Sequence, residues 1–249
     1  MIINKFVKRL NIQNLIKMES TGISLGNSCM EKLLDGGFKS GKFYHIFGKE
    51  GSGKTTMCLQ LATIAAKKGF KSLYIDTSHK FNVIRLKQIS GDFYNNISKL
   101  IFVQTPKNFK QQDKIVNKLE NFITDKFKLI VIDDIASLSQ EGTRSKSKPF
   151  LIQRTLSRQL AILKNIGLSY ETIILITNQS AKYKGENTIA ERASYPYYRA
   201  ATTFYSDYDI EIKIPSTTTL SNRIMTRIKP AMLSEVTECK FELKNNGIV

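Results

Sequence analysis

The run Gly48-Lys49-Glu50-Gly51-Ser52-Gly53-Lys54-Thr55 fits the pattern G-x-x-x-x-G-K-[ST], and it stands between an apolar segment and an amphipathic one. Such a loop leaves a strand, turns tightly and opens a helix, so it requires a strand–loop–helix unit at the centre of the fold. Lys42-Phe43-Tyr44-His45-Ile46-Phe47 supplies the strand. Met57, Leu59, Leu61, Ile64 and Ala65 supply the apolar stripe of the helix. A glycine-rich surface turn with an incidental lysine would carry neither flank.

Each position has a chemical reading. Gly48, Gly51 and Gly53 let the backbone turn its N–H groups inward, toward the α- and β-phosphates of a nucleotide at a helix N-terminus. Lys49, Glu50 and Ser52 complete the run. Lys54 supplies a mobile cation for the β- and γ-phosphates, and the Thr55 hydroxyl is suited to ligate Mg²⁺, which keeps much of its shell as water and phosphate oxygen. Thr56 adds a hydroxyl toward the α-phosphate. The pattern therefore predicts a nucleotide site for ATP with Mg²⁺.

The 249 residues, 41% hydrophobic, suffice for one sizeable core. A basic arm over residues 1–19 is expected to precede one core domain over 20–249. The 38 Lys and Arg residues against 21 Asp and Glu leave a net charge of +17. A field of that sign attracts polyanions, nucleic acid first, although a lysine-rich surface of biased genome composition would read the same way. Cys29, Cys58 and Cys239 are too few and too scattered for a disulfide framework or a zinc site, which suggests a reducing compartment. Neither a membrane span nor a signal peptide is expected.

Beyond the loop, apolar strands are expected at 42–47, 72–76, 100–104, 128–133 and 172–178. Helical patterns lie between them near 53–68, 81–90, 108–125 and 149–165, with a short helix from Ser28 to Leu34. Continuous apolar strands alternating with helices imply an α/β fold with a mainly parallel sheet covered on both faces. Residues 180–200 are polar, basic and tyrosine-rich without periodicity, and read as a long functional loop. Segments near 203–214, 222–229 and 238–244 read as antiparallel strands closing one edge of the sheet.

Leu129-Ile130-Val131-Ile132-Asp133 is an apolar strand ending in a carboxylate, which suits Asp133 to hold the Mg²⁺ shell opposite Thr55. Thr177-Asn178-Gln179 ends another apolar strand. Gln179 there either contacts the γ-phosphate or an attacking water, or belongs to a polar strand end.

Thr21-Gly22-Ile23, Leu33 to Phe38, the phosphate loop, Tyr74-Ile75-Asp76-Thr77, the Asp133 strand, Leu156-Ser157-Arg158-Gln159-Leu160 and Thr177-Asn178-Gln179 together resemble the RecA-family recombinases. Order and spacing match the archaeal and eukaryotic branch across nearly all of residues 20–249. The likeness is greatest to its short archaeal paralogues, which lack the recombinases' N-terminal DNA-binding domain. It implies a RecA-like core, a role in recombination and repair, and a cytoplasmic location, or a nuclear one in a eukaryote.

Active members of that family end the second strand in Tyr-x-Asp-Thr-Glu, and the Glu orients or deprotonates the attacking water. Here the run is Tyr74-Ile75-Asp76-Thr77-Ser78, and a serine is no carboxylate base at neutral pH. Asp134 and His79 are the substitutes within reach, although strand alternation would turn Asp134 away from Asp133. The resemblance also implies that Arg85 stacks on the adenine, with an ordinary surface arginine as the alternative.

In the family the loops after the Gln179 strand line the DNA groove. The matching residues are Lys182, Lys184, Arg192 and Arg199, interleaved with Tyr183, Tyr195, Tyr197 and Tyr198, a mixture suited to single-stranded or branched DNA. Arg144, Lys146, Lys148, Arg154 and Arg158 form a second basic segment. The recombinases polymerise through a Phe-x-x-Ala motif, whereas Phe6-Val7-Lys8-Arg9 carries a long cation where the alanine belongs. That argues against self-polymerisation and leaves docking onto a main, RadA-like recombinase open. The combined expectation is an accessory or regulator of recombination with slow or absent hydrolysis. An active DNA-dependent or signalling ATPase, and a nucleotide-stabilised scaffold, are the alternatives.

Overall fold

The computed structural model describes residues 22–144, 149–182, 194–216, 221–230 and 237–249. The expected arm with Phe6 to Arg9, and Lys146, Lys148, Tyr183, Lys184 and Arg192, lie outside the described residues, and Lys182 is described by its backbone alone.

Among the described residues the elements run α1 (Ser28–Leu33), β1 (Phe43–Gly48), α2 (Lys54–Lys67), β2 (Lys71–Asp76), α3 (Val83–Ser90), α4 (Tyr94–Ile97), β3 (Ile101–Gln104), α5 (Phe109–Asn117), β4 (Phe127–Asp133), α6 (Ser137–Arg144) and α7 (Pro149–Tyr170). There follow β5 (Ile173–Lys182), β6 (Ser194–Pro196), α8 (Arg199–Tyr205), β7 (Tyr208–Lys213), β8 (Asn222–Lys229), β9 (Glu238–Lys244) and β10 (Gly247–Ile248). The strands form one sheet in the order β10-β9-β8-β7-β1-β5-β4-β2-β3, with β6 pairing to β5. From β7 through β3 every neighbour is parallel. β8, β9 and β10 continue antiparallel at the C-terminal edge.

Strand alternation explains why Leu129 to Ile132 of β4 are apolar without interruption. In β4, Leu129 and Val131 pack with Met57, Leu61 and Ala65 of α2 on one face. Ile130 and Ile132 pack with Leu156, Leu160 and Leu163 of α7 on the other. Both faces are covered, so neither can be polar. Asparagine side chains start three helices by accepting from the third residue on: Asn27 from the amide of Met30 (3.1 Å), Asn82 from that of Arg85 (3.1 Å) and Asn108 from that of Gln111 (2.9 Å). The helix after the phosphate loop has no such cap, and Gly53 precedes it with φ of 102°.

The core strands lie where the apolar runs put them, and the differences have local reasons. β5 continues past Gln179 to Lys182 and pairs antiparallel with β6, a two-stranded extension whose polar residues carry no apolar alternation. Residues 199–205 form a helix rather than the start of a strand, and β7 begins only at Tyr208. The helix expected over 108–125 stops at Asn117 and gives way to a tighter turn over Leu119–Asn121. One neighbourhood goes beyond the cysteine reading: Cys29 and Cys239, 210 residues apart, are paired with Cα atoms 5.7 Å apart, a single link rather than a framework, and Cys58 is free and buried. Sequence distance hid that neighbourhood. Among the described residues no helix is long and apolar enough to cross a membrane.

Candidate nucleotide-binding site

Parallel strands deliver their C-terminal ends to one rim of the sheet, and the loops leaving that rim build the cleft. Gly48 ends β1 in register with Gln179 of β5 and Ile212 of β7. A Cβ at Gly48 would stand 2.3 Å from the Ile212 carbonyl oxygen and 2.9 Å from the Ser52 Oγ, so glycine is required by the closeness of the two strands. The cleft above this point has a volume of about 680 Å³. Glu50 to Thr56, Thr77 to Lys80, Asp133, Asp134, Ser137, Gln140, Gln179 and Leu243 line it.

Lys54 folds over the loop and donates to the carbonyls of Gly48 (2.8 Å) and Lys49 (2.9 Å). Burial lowers its ammonium pKa, partly offset by the charges of Asp134 and Asp133. Asp133 is 2% exposed and fully engaged. Its Oδ2 accepts from the Thr55 hydroxyl (2.8 Å) and the Tyr74 phenol (2.7 Å), and its Oδ1 accepts from the Thr177 hydroxyl. Burial, followed by the Asp133 charge, pushes the Tyr74 phenol well above its ordinary value, so it stays a donor.

Asp134 lies just beyond the last residue of β4, where strand alternation no longer applies, and it lines the cleft beside Asp133. Its Oδ1 accepts from the amides of Ala136 (2.7 Å) and Ser137 (3.2 Å). Burial pushes this carboxyl up to about 6; the Asp133 charge adds to the rise, and the amide bonds and Lys54 oppose it.

The residues present fit a magnesium nucleotide. A cradle closed to any Cβ at Gly48, an uncapped helix start and a buried lysine suit phosphates. The Thr55 hydroxyl and Asp133 carboxylate are hard oxygen donors suited to Mg²⁺. Among the described residues no three His, Cys, Asp or Glu side chains cluster as a metal site, so phosphate and water oxygens would complete the shell.

Ser78 lies in the cleft with its hydroxyl donating to the Asp133 carbonyl (3.2 Å), and His79 lies beside it with φ of 55°. Glu50 pairs with Lys80 across the mouth, both more than half exposed. Gln179 is exposed at the rim, while the buried Asn178 donates to the Tyr197 carbonyl (2.7 Å). Arg85 does not line the cleft. Its guanidinium donates to the carbonyls of Lys244 and Asn245, both at 2.8 Å, which ties α3 to the C-terminal turn. Arg199 stands apart from the cleft lining, its guanidinium 4.7 Å from the centre of the Tyr195 ring.

Several contributors were not marked by any local pattern. Leu243 of β9 touches the loop: a Cβ on Gly53 would meet its Cδ1 at 2.9 Å. Arg223 of β8 donates to the carbonyls of Gly51 (2.8 Å) and Ser52 (3.2 Å). Tyr74 and Thr177 sit inside quoted motifs, but only their bonds to Asp133 reveal what they do.

A family model described as Rad51 matches residues 16–249. The chain belongs to the Rad51 family. Family members similar to it include the DNA repair and recombination protein RadB of Methanosphaera stadtmanae, 30% identical over 226 residues that cover 90% of this chain and 94% of that protein. The RadB proteins of Methanococcoides burtonii and Archaeoglobus fulgidus are 34% and 35% identical over 164 and 163 residues, covering 65% of this chain and 72% of each relative. The likeness to the recombinase family and to its short archaeal paralogues is thereby borne out, as is the RecA-like α/β fold.

Proposed function

We propose that this Rad51-family chain binds ATP with Mg²⁺ and binds DNA, single-stranded or branched, as an accessory or regulator of a main recombinase in homologous recombination and DNA repair, with slow or absent hydrolysis. The observation that carries the reading is Ser78, a hydroxyl bonded to a main-chain carbonyl in a cleft otherwise furnished for a magnesium nucleotide. General-base assistance contributes about 10²–10⁴-fold to a proton-transfer step, and a serine cannot supply it.

In this reading Gly48 to Thr56 hold the phosphates, Lys54 transfers its donors from loop carbonyls to phosphate oxygens, and Thr55 and Asp133 hold the cation. Mg²⁺, when bound, neutralises charge on the β- and γ-phosphates. Gln179 orients toward the terminal phosphate, and its strand is bonded to Tyr197 through Asn178 and through the Gln179 carbonyl (3.4 Å). Nucleotide state thus has a short bonded route to the segment carrying Tyr195 and Arg199. Lys182, Tyr183, Lys184, Arg192 and Arg199 make the DNA contact, supported by the net charge of +17 and by the exposed Arg199–Tyr195 pair. The core taking part runs from residue 20 to 249.

A second reading, a competent DNA-dependent ATPase, draws on Asp134, a buried carboxyl in the cleft whose basicity is raised toward neutral pH. Fluorescence anisotropy of labelled single-stranded DNA across a salt series, with and without MgATP and with phosphate release followed in parallel, separates the two. Salt-dependent, nucleotide-sensitive binding with little phosphate is expected. Multiple turnover abolished by Asp134→Asn would establish the second reading, and weak DNA binding whatever the nucleotide would sink both.

A further inference from the structure

We propose that Arg223 is a positioning residue of the phosphate loop: from outside the cleft it holds the loop carbonyls, and with them the turn and the helix start that present the loop's amides to phosphate. The proposal rests on the nucleotide-binding reading above.

Arg223 comes from β8, 171 residues from Ser52, and is 7% exposed. In that strand Arg223 and Met225 are buried while Asn222 and Ile224 are partly exposed, so pleating turns the arginine inward under the loop. A buried guanidinium must have its N–H groups met, and here three bonds go to main-chain carbonyls: Gly51 (2.8 Å), Ser52 (3.2 Å) and its own neighbour Asn222 (2.7 Å). A carbonyl and the N–H of the same peptide lie in one plane and point in opposite directions. Fixing the Gly51 and Ser52 carbonyls therefore fixes the amides of Ser52 and Gly53. The Ser52 amide turns to the Lys49 carbonyl (3.2 Å) and closes the loop, and Gly53 opens α2.

Lys54 and Arg223 divide the loop between them. Lys54 holds the carbonyls of Gly48 and Lys49 from a residue that lines the cleft. Arg223 holds those of Gly51 and Ser52 and lines instead a separate groove over the paired strands β8 and β9. To meet a phosphate Lys54 must release its carbonyls, whereas Arg223 can keep its own. The arginine therefore preserves the loop's shape while the lysine moves. A planar fork with several donors can serve two adjacent carbonyls at once, which an ammonium on a flexible stem does less well.

The test compares wild type, Arg223→Met and Arg223→Lys for MgADP by titration calorimetry and for adenosine by ligand-observed NMR. Arg223→Met should weaken MgADP by roughly tenfold to a hundredfold and leave adenosine within about twofold, because only the phosphates use the loop amides. Arg223→Lys should recover part of the loss. MgADP affinity unchanged in Arg223→Met, or an equal loss for adenosine and MgADP, would overturn the positioning role. If Arg223→Met does not fold, Arg223→Lys carries the test: a loss of about threefold to tenfold confined to MgADP supports it, and wild-type affinity refutes it. Failure of the wild type to bind MgADP would refute the nucleotide reading itself.

Discussion

Gln60→Leu is expected to loosen the C-terminal strand from the helix that follows the phosphate loop. Gln60 is 9% exposed, accepts from the Ile248 amide (2.6 Å) and donates to the Ile248 carbonyl (3.1 Å). Gly247 is glycine at the same contact, because a Cβ there would stand 2.5 Å from the Gln60 Oε1. Leucine keeps the bulk and removes both partners. If the strand stayed, two buried main-chain groups would lose their bonds at about 1–3 kcal/mol each, or roughly 2–6 kcal/mol together. The chain has a cheaper response, which is to let residues 247–249 peel away. Relative to wild type that forfeits burial of Ile248, about 1.5–3 kcal/mol, together with the two Val249–Glu242 and the two Gln60–Ile248 bonds at about 0.5–1.5 kcal/mol each, and regains about 1–2 kcal/mol of backbone entropy for each of the three freed residues. The smaller cost wins, so urea unfolding followed by circular dichroism should show a loss of about 1–3 kcal/mol, with hydrogen exchange rising at Ile248 and Val249. A variant within about 0.5 kcal/mol of wild type, with those amides still protected, would refute the reasoning.

Two further outcomes can be stated. Ser78→Glu should raise multiple-turnover phosphate release by about 10²-fold or more, with no gain when Lys54→Ala is also present; an unchanged rate at retained MgATP affinity would show that the missing carboxylate is not what limits hydrolysis. In acid, burial alone would raise the Asp209 carboxyl, but its bond to His45 (2.9 Å), the His45 charge and the Ser206 and Thr203 hydroxyls together hold it below its ordinary 3.8. A lowered carboxyl stabilises the fold above about 3.8 and loses that contribution as pH falls through the folded value, so Asp209→Asn should flatten the fall of the urea midpoint between about pH 5 and 3, and an equally steep fall would contradict it.

What could be read from the sequence divides by distance along the chain. Gly48 to Thr55 and the apolar strand ending at Asp133 are local patterns whose geometry follows from their own residues, and both lie at the cleft. Asp134 was misdirected by a rule that holds inside a strand and lapses one residue past its end. Helix α8 is a seven-residue segment whose largest apolar side chain, Phe204, is 77% exposed, so no apolar period marks it. Arg223, Leu243 and Gln60 act across separations of 171 residues or more, and Arg85 across about as many. Nothing near any of them signals the partner, because the partner is usually a main-chain carbonyl, which every residue has.

Those long-range contacts share one destination, which changes what the antiparallel edge is for. Arg223 of β8 holds the loop carbonyls, Leu243 of β9 packs against Gly53, Arg85 fastens the turn after β9, and Gln60 fastens β10. A sheet extended only to close its edge would need neither side chains from α2 and α3 fastened to it nor side chains of its own reaching the loop. On the opposite side of the cleft, Asn178 and Gln179 are bonded to Tyr197, next to the segment proposed to meet DNA. A nucleotide that draws Lys54 away from its carbonyls would act on a loop braced from the C-terminal edge, whereas the other side of the cleft holds the exposed Gln179 and the bonded route from it to Tyr197. For a protein proposed to respond to ATP more than to consume it, that asymmetry is a physical means of turning occupancy into a change at the DNA-facing segment.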